Sequence, residues 1–273
     1  MNPLATQFLS RRPQTNLDWI NSKLAFHKAR MTWSNEENIL DFGCGPGNIT
    51  RDILLPHCIN LKKLIGVDIQ PAFVEYANKA FNHENIEYRE INLMERIPTE
   101  WEGTFHKIFS IFALHCIRDT SQLLKVFHRL LKPGGYFLAL GVCTEEVLSS
   151  FKEISKLPQW MEYIQNVEDF FWVVYDCKNP CSTSKKLADA SGFDTDFFAL
   201  TPSTQVFSSK SHYIQFCESI MPEAIIKRIP SEKLEHFWED WCEIVQKHRV
   251  TFRPDGTISR EIIMLEMCLK SKN

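Results

Sequence analysis

Hydrophobic residues along this chain occur in short runs that alternate with amphipathic stretches. Four apolar runs bounded by turn residues are typical of buried strands, at residues 39–42, 63–67, 108–112 and 136–140. Apolar residues at helical spacing predict helices over residues 17–29, 49–57, 71–81 and 121–131, the last of which ends at Lys132-Pro133-Gly134-Gly135. This alternation predicts an α/β fold, a doubly wound and mostly parallel sheet with helices on both faces.

The alternation lapses for about fifty residues after Val142. Helices are predicted there over residues 145–156 and 160–171, in a segment rich in aromatic side chains: Trp160, Tyr163, Phe170, Phe171, Trp172 and Tyr175. Such a segment either covers a pocket or packs on the sheet, and the sequence leaves both open. The pattern then resumes, with helices predicted over 185–191, 211–221 and 231–248 and strands over 193–200 and 258–269.

Composition limits the classes of function. The chain is 44% hydrophobic and 24% charged, like an ordinary globular protein, and its net charge of −3 without a basic stripe argues against nucleic-acid binding. The first thirteen residues lack the apolar stretch of a signal peptide, and no stretch reaches the ~18 apolar residues of a membrane span. We therefore expect a cytoplasmic protein with neither a nucleic-acid partner nor a membrane span.

The nine cysteines are scattered and include no C-x-x-C pair. Most lie in apolar runs, where buried thiols are expected. Cys177 and Cys181 could begin a zinc site, but no second pair of Cys or His follows at ligand spacing. No metal is expected.

The first apolar run leads into a glycine-rich turn, Gly43-Cys44-Gly45-Pro46-Gly47. Glycines let the backbone turn sharply and approach a ligand without an intervening Cβ. In a doubly wound sheet such a turn lies at the carboxyl edge, where ligands bind. Asp41 would provide a carboxylate for the amino-acid tail of an adenosine-type ligand. Alone, the turn also fits a plain connection between strand and helix.

Asp68 ends the second apolar run, twenty-five positions after Gly43. An acid there can accept hydrogen bonds from both hydroxyls of an adenosine ribose. The alternative is that Asp68 caps the helix that begins near Pro71. Its pairing with the glycine turn favours a nucleoside site.

These motifs resemble those of the class I S-adenosylmethionine-dependent methyltransferases, since Ile39 to Gly47 matches the family's first motif and Asp68 its second-strand acid. The resemblance implies a seven-stranded Rossmann-like sheet and S-adenosylmethionine as cofactor. His106 stands where the family commonly has Asp. The implied cofactor-binding residues are Asp41, Gly43, Cys44, Gly45, Gly47, Asp68, Ile69, Asn92, Leu93 and Phe112.

Within that class the chain is similar to the arthropod juvenile hormone acid O-methyltransferases, notably at residues 112–119 and 160–163. This implies methylation of a small apolar carboxylic acid, such as farnesoic acid or juvenile hormone acid. It also makes Gln14 a ligand of the carboxylate and His115 a candidate catalytic residue, although each also fits a structural or solvated role. Cys116 replaces the family's usual Trp, which implies a wider pocket.

The resemblance implies one domain over residues 1–273 with four parts: a helical arm (1–35), a cofactor-binding core (36–142), a helical lid (143–182) and the remaining sheet and helices (183–273). We also weigh a homodimer as its assembly.

Three functions compete. The first is a carboxyl methyltransferase whose acceptor pocket uses Phe112, Trp160, Tyr163 and Phe171, a reaction that depends mainly on alignment. The second is a protein of the same fold that binds a ligand without turnover, and a related option is O-methylation of a hydroxyl with His115 as base. The third, a nicotinamide oxidoreductase, is disfavoured because Gly47 falls one position early and no Tyr-x-x-x-Lys is present.

Overall fold

The computed structural model describes residues 3–11, 15–143, 146–167, 179–221 and 223–272. Its α-helices are α1 (Pro3–Ser10), α2 (Thr15–Arg30), α3 (Pro71–Ala80), α4 (Thr120–Leu130), α5 (Glu146–Ile154), α6 (Pro180–Ala190), α7 (Lys210–Ile220), α8 (Glu223–Ile226) and α9 (Leu234–Val245). Its strands are β1 (Glu37–Phe42), β2 (Leu61–Asp68), β3 (Ile86–Glu90), β4 (Phe105–Ile111), β5 (Leu131–Val142), β6 (Phe193–Phe207), β7 (Val250–Phe252) and β8 (Ile258–Ser271).

The strands form one sheet in the order β3-β2-β1-β4-β5-β8-β6, with β7 paired to β8. Strands β1 to β5 are parallel to one another, whereas β8 runs antiparallel to both β5 and β6. The predicted mostly parallel, doubly wound sheet is therefore confirmed. The eighth strand, β7, was not predicted, because a strand of three residues is too short to show a periodic pattern.

Both faces of the sheet are buried, which explains the continuous apolar runs in its strands. Successive residues of β1 point to opposite faces: Ile39 packs in a cluster with Ile20 of α2, and Leu40 packs in a cluster with Phe127 of α4. Helices on the two faces therefore hold β1 and β4 in the centre of the sheet. The carboxyl ends of these strands meet at one edge.

The β6–β8 pair extends beyond the carboxyl end of β5. The pairing of β5 with β8 ends at Val142 and Met264, whereas β6 and β8 remain paired as far as Phe207 and Ile258. This two-stranded extension forms a wall beside the carboxyl edge. Strand β7 and helix α7 pack on it.

Two predicted helices differ from the structure. The helix expected over residues 49–57 is mainly a single π-helical turn (Thr50–Leu54) followed by a 3₁₀ turn (Leu55–His57), in which Pro56 lacks the N–H that an α-helix needs. The helix expected over 160–171 is wrong for residues 160–166, which form turns, a bend and irregular chain. Residue 167 is in a 3₁₀ conformation, and residues 168–171 lie outside the described ranges. There Trp160 is fully buried and donates from Nε1 to Asp240 Oδ2 (2.6 Å), so contacts with α9 fix the chain path.

Candidate active site

The glycine turn at the carboxyl end of β1 is tightly enclosed. Gly43, Gly45 and Gly47 all have positive φ angles, +72°, +56° and +89°. A Cβ on Gly43 would lie 2.2 Å from the Cβ of Ala113, and one on Gly47 would lie 2.8 Å from the Cβ of Ala77. Gly43 thus packs against the end of β4 and Gly47 against α3, and a residue with a side chain does not fit at either position.

Gly45 differs from Gly43 and Gly47 because an added Cβ would make only ordinary van der Waals contact there. The nearest atom to a Cβ placed there is Cε1 of Phe8, at 4.0 Å. Phe8 belongs to α1, and its ring centroid lies 5.0 Å from that of Phe73 in α3. Arg11, just after α1, pairs with Glu218 of α7 (3.6 Å). Helix α1 therefore bridges from the glycine turn to α7.

Asp68 joins the end of β2 to this turn. Its Oδ2 accepts the Gly45 N–H and its Oδ1 accepts the Gln70 N–H, both at 2.9 Å. Gln70 is the N-cap residue of α3 and makes no side-chain cap, so the capping alternative for Asp68 is not observed. The half-buried carboxylate of Asp68 is therefore fixed at the carboxyl edge of the sheet, beside the glycine turn.

Asp41 lies beneath the turn and is 2% exposed. Thr50 Oγ1 donates to Asp41 Oδ2 (2.6 Å), which links β1 to the π-helical turn. Burial raises the pKa of Asp41 to about 7, and the Thr50 hydrogen bond only partly opposes this shift. The ionised form of Asp41 is therefore costly unless a cation approaches it.

We expect the Asp41→Asn substitution to stabilise the ligand-free protein more at pH 8 than at pH 5. A carboxyl group whose pKa is higher in the folded than in the unfolded chain binds more protons when folded, so its stabilising contribution is lost as pH rises from about 4 to about 7. Removing the titration should raise the free energy of unfolding by about 2 kcal/mol more at pH 8 than at pH 5. Urea denaturation at both values measures this, with the exposed Asp52→Asn as control, and an equal effect at both pH values would contradict it.

The residues expected to contact the adenine follow β2 and β3 in the sequence. Asn92 Oδ1 accepts the Met94 N–H (3.1 Å), which orients its amide and leaves a lone pair on the oxygen. Ile69 is 68% exposed directly beside Asp68, an unusual position for a large apolar side chain at a strand end. Leu93 is buried in the main core, so its side chain packs inward.

Phe112 and His115 lie past the end of β4. Phe112 has φ +56°, a strained value for a bulky residue, and its N–H donates to Leu140 O in β5 (2.7 Å). His115 stands in the 3₁₀ turn Leu114–Cys116 and is half-buried, with Nδ1 3.6 Å from the position of a Cβ on Gly141. Strain of this kind clusters at functional sites. Cys116 is exposed.

Other predicted residues lie elsewhere. His106 is at the amino end of β4, where Nδ1 accepts the Asn38 N–H (3.0 Å) and burial lowers the pKa of the ring. The departure from the family pattern at His106 therefore concerns packing at the opposite edge of the sheet. Trp160 is core and does not line an open pocket. Gln14 and Phe171 lie outside the described residues.

Helix α1 was not predicted as a separate element, although residues 1–35 were expected to form a helical arm. The sequence features that favour this helix are few: Pro3 stands at the first helical position, and Leu4 and Phe8 are spaced at i and i+4. The contact of Phe8 with the glycine turn could not be read from this spacing, because it depends on tertiary packing.

The described ranges contain no group of three His, Cys, Asp or Glu side chains that could hold a metal ion. The eight cysteines in these ranges are all free thiols, and Cys177 falls outside them. Across the same ranges, no helix is both long and apolar enough to cross a lipid bilayer.

Comparison with known proteins identifies the class of enzyme. Residues 40–139 match the family described as a methyltransferase domain. A structure from Bacillus halodurans C-125 that is assigned as a methyltransferase has a TM-score of 0.61 to this chain at 16% identity, covering 92% of this chain and all of that one, so the two share a fold. The chain is an S-adenosylmethionine-dependent methyltransferase with the class I fold, as the motifs predicted.

Two relatives are similar along most of the chain. A juvenile hormone acid O-methyltransferase of Bombyx mori is 23% identical over 237 residues, which cover 86% of this chain and 84% of the relative. A protein of the same name from Drosophila melanogaster is 26% identical over 220 residues, or 79% and 73%. The similarity thus extends well beyond the methyltransferase domain.

Proposed function

We propose that this enzyme transfers the methyl group of S-adenosylmethionine to the carboxylate of a small apolar acid. The observation that carries the proposal is the apolar composition of the chain where β4 and β5 end, next to the glycine turn. The residues there are Phe112, Ala113, Leu114, Gly141, Val142 and Cys143, with His115 among them. The names of the two relatives, which state methylation of an acid, support it.

The cofactor would lie across the carboxyl ends of β1, β2 and β3. Asp68, at the end of β2 beside the glycine turn, would accept hydrogen bonds from the ribose hydroxyls. The backbone from Gly43 to Gly47 would lie against the methionine part, with the carboxylate of Asp41 below its ammonium group. Asn92 Oδ1 would accept from the adenine amino group, and the adenine would cover the exposed side chain of Ile69.

Glycine at positions 43, 45 and 47 leaves no Cβ between the backbone of the turn and such a ligand. Cys44 and Leu93 are buried, so they would contribute backbone rather than side-chain contacts. Phe112, at the end of β4, would pack beside the sulfur atom of the cofactor.

The bound cofactor supplies an electrophilic methyl group on a sulfonium. A carboxylate acceptor is already anionic, so the protein has to align the acceptor oxygen with the methyl group and exclude water. The apolar side chains at the ends of β4 and β5 and the ring of Phe8 above the turn would do both. In this role His115 orients the acceptor, whereas a hydroxyl acceptor would require it as a base. Gln14 remains a predicted ligand of the carboxylate.

The proposal is tested with labelled S-adenosylmethionine and pairs of acids and matching primary alcohols: farnesoic acid with farnesol, and dodecanoic acid with dodecanol. We expect a base-labile methyl ester from at least one acid and no product from the alcohols. The His115→Gln variant should lower kcat by at most about tenfold, since no general base is needed.

Methylation of an alcohol, together with a loss of about 100-fold or more in His115→Gln, would instead identify a hydroxyl methyltransferase with His115 as base. Binding of the cofactor without product from any acid or alcohol would favour a protein that binds without turnover. A cytoplasmic location and a homodimer stay predictions.

A further inference from the structure

One glycine interrupts the buried part of β2. Gly66 lies between Ile65 and Val67, which are both buried, although glycine in the interior of a strand packs no side chain and weakens the strand. Gly66 is the register partner of Tyr88 in β3. A Cβ on Gly66 would lie 2.8 Å from Cδ1 of the Tyr88 ring and 3.1 Å from Sγ of Cys44 in the glycine turn. Glycine at this position therefore lets the ring of Tyr88 cross β2 towards the glycine turn.

The hydroxyl group of Tyr88 reaches the third glycine of that turn. Strand β3 does not neighbour β1, because β2 lies between them and separates their backbones by about 10 Å. The ring of Tyr88 nevertheless lies against the turn, since a Cβ on Gly47 would be 3.0 Å from both Cζ and Oη. The hydroxyl donates to Gly47 O and to Phe81 O, each at 3.2 Å. One hydroxyl proton is therefore shared between the turn and the C-cap residue of α3.

Tyr88 is held in place by its surroundings. It is 5% exposed. The other buried residues of its cluster are Cys44, Val74 and Ala77. The side-chain amide of Asn78 in α3 donates to the backbone carbonyl of Tyr88 (3.3 Å). Close packing of the ring and this contact to the backbone fix the position of the hydroxyl relative to the turn.

Gly47 ends the part of the turn that would lie against the amino-acid end of the cofactor. Its N–H donates to Cys44 O (3.2 Å), and its carbonyl accepts the Arg51 N–H (3.0 Å) as well as the Tyr88 hydroxyl. Two donors thus orient the peptide that follows Gly47. Without the hydroxyl this carbonyl would keep the Arg51 N–H as partner, so the turn can still form while its Gly47 end is held less firmly.

We propose that Tyr88 is a positioning residue that holds the glycine turn in place for the amino-acid part of S-adenosylmethionine. This inference rests on the proposed function, from which it takes the place of the cofactor. Tyr88 is buried beneath the turn and acts through Gly47, whereas the adenosine part of the cofactor would lie against Asp68 and Asn92. Loss of the Tyr88 hydroxyl therefore weakens ligands that carry the amino-acid part and spares ligands that lack it.

Calorimetric titration of the full chain with two ligands tests the proposal without requiring turnover. S-adenosylhomocysteine carries the amino-acid part, and methylthioadenosine has the same adenosine and a thioether sulfur but lacks that part. We expect the wild-type chain to bind S-adenosylhomocysteine at least about 10-fold more tightly than methylthioadenosine. In Tyr88→Phe, which keeps the ring, affinity for S-adenosylhomocysteine should fall roughly 3- to 10-fold, as the loss of one hydrogen bond predicts, and affinity for methylthioadenosine should stay within about twofold.

Tyr136→Phe is the matched control. Tyr136 is as deeply buried as Tyr88, at 6% exposed, but it lies towards the amino edge of the sheet, where it is paired with Lys107. Its substitution should leave both affinities within about twofold. Asp68→Asn gives the opposite pattern: both ligands should bind more weakly, because both carry the ribose.

A Tyr88→Phe protein with wild-type affinity for S-adenosylhomocysteine would overturn the proposal. An equal loss of affinity for both ligands would also overturn it and would make Tyr88 a structural residue only. Equal affinity of the wild-type chain for the two ligands would refute the proposed placement of the cofactor together with this inference. Absence of a methyl ester from every acid, combined with the expected change in Tyr88→Phe, would refute the proposed reaction alone.

Discussion

The Asp68→Asn variant is expected to bind S-adenosylmethionine at least about 100-fold more weakly than the wild-type chain. Asp68 holds the glycine turn through the Gly45 N–H and, in the proposed site, would accept hydrogen bonds from both ribose hydroxyls. An amide has one acceptor atom and no charge, and each hydrogen bond to a charged group contributes roughly 1.5–3 kcal/mol. Loss of two such bonds corresponds to a change of this size in the dissociation constant, which calorimetry measures directly.

The matched control is Asp52→Asn, in the π-helical turn that follows the glycine turn. Asp52 is exposed and pairs only weakly with Arg51 (3.6 Å), so its substitution should leave cofactor affinity within about twofold. Thermal unfolding of Asp68→Asn checks that the turn still forms. Wild-type affinity in a folded Asp68→Asn protein would remove Asp68 from the cofactor site.

The Gly43→Ala variant is expected to lose about 3 kcal/mol of folding free energy and all measurable cofactor binding. Two costs add at this position: the new methyl group would lie 2.2 Å from the Cβ of Ala113, and φ of +72° is unfavourable for any residue with a Cβ. Relief requires β4 and the turn to move apart. Urea denaturation measures the first effect and calorimetric titration the second.

Gly256→Ala separates the two costs. Gly256 has φ +84° and nothing within 4 Å of an added Cβ, so its substitution should cost only about 1 kcal/mol. The double variant Gly43→Ala/Ala113→Gly removes the clashing methyl group and should recover more than half of the lost stability. If it recovers none, the contact between the turn and the end of β4 is not the cause.

The cofactor half of the site was predictable because its parts are local. Two apolar runs end in Gly43-Cys44-Gly45 and in Asp68, and parallel pairing of β1 with β2 brings those ends together. The hydrogen bond from the Gly45 N–H to Asp68 follows from that pairing. Topology and short motifs therefore sufficed for this part of the fold.

The other half depends on contacts between distant segments. Phe8 reaches the glycine turn across 37 residues, and Trp160 is fixed by Asp240 across 80. Side chains of α5, α7, α9 and β8 meet around Trp241, and none of these segments has a local pattern that reveals the contact. The burial of Trp160 shows how an aromatic cluster that suggests a pocket can instead be core.

His106 illustrates the limit of motif comparison. His106 stands where the family commonly has Asp, but its ring accepts the backbone N–H of Asn38 at the amino edge of the sheet. Sequence position within a strand does not say which edge a residue occupies until the strand's direction and length are known. The presence of His106 instead of Asp is therefore no evidence against catalytic turnover.

The crystal structure of the protein with S-adenosylhomocysteine tests the central claim most directly, because it locates the ligand relative to named atoms. The ribose hydroxyls are expected within hydrogen-bond distance of Asp68, the amino-acid tail against Gly43 to Gly47, and the sulfur towards His115 and the ends of β4 and β5. A ligand bound at any other edge of the sheet, or with its ribose away from Asp68, would contradict the proposed site.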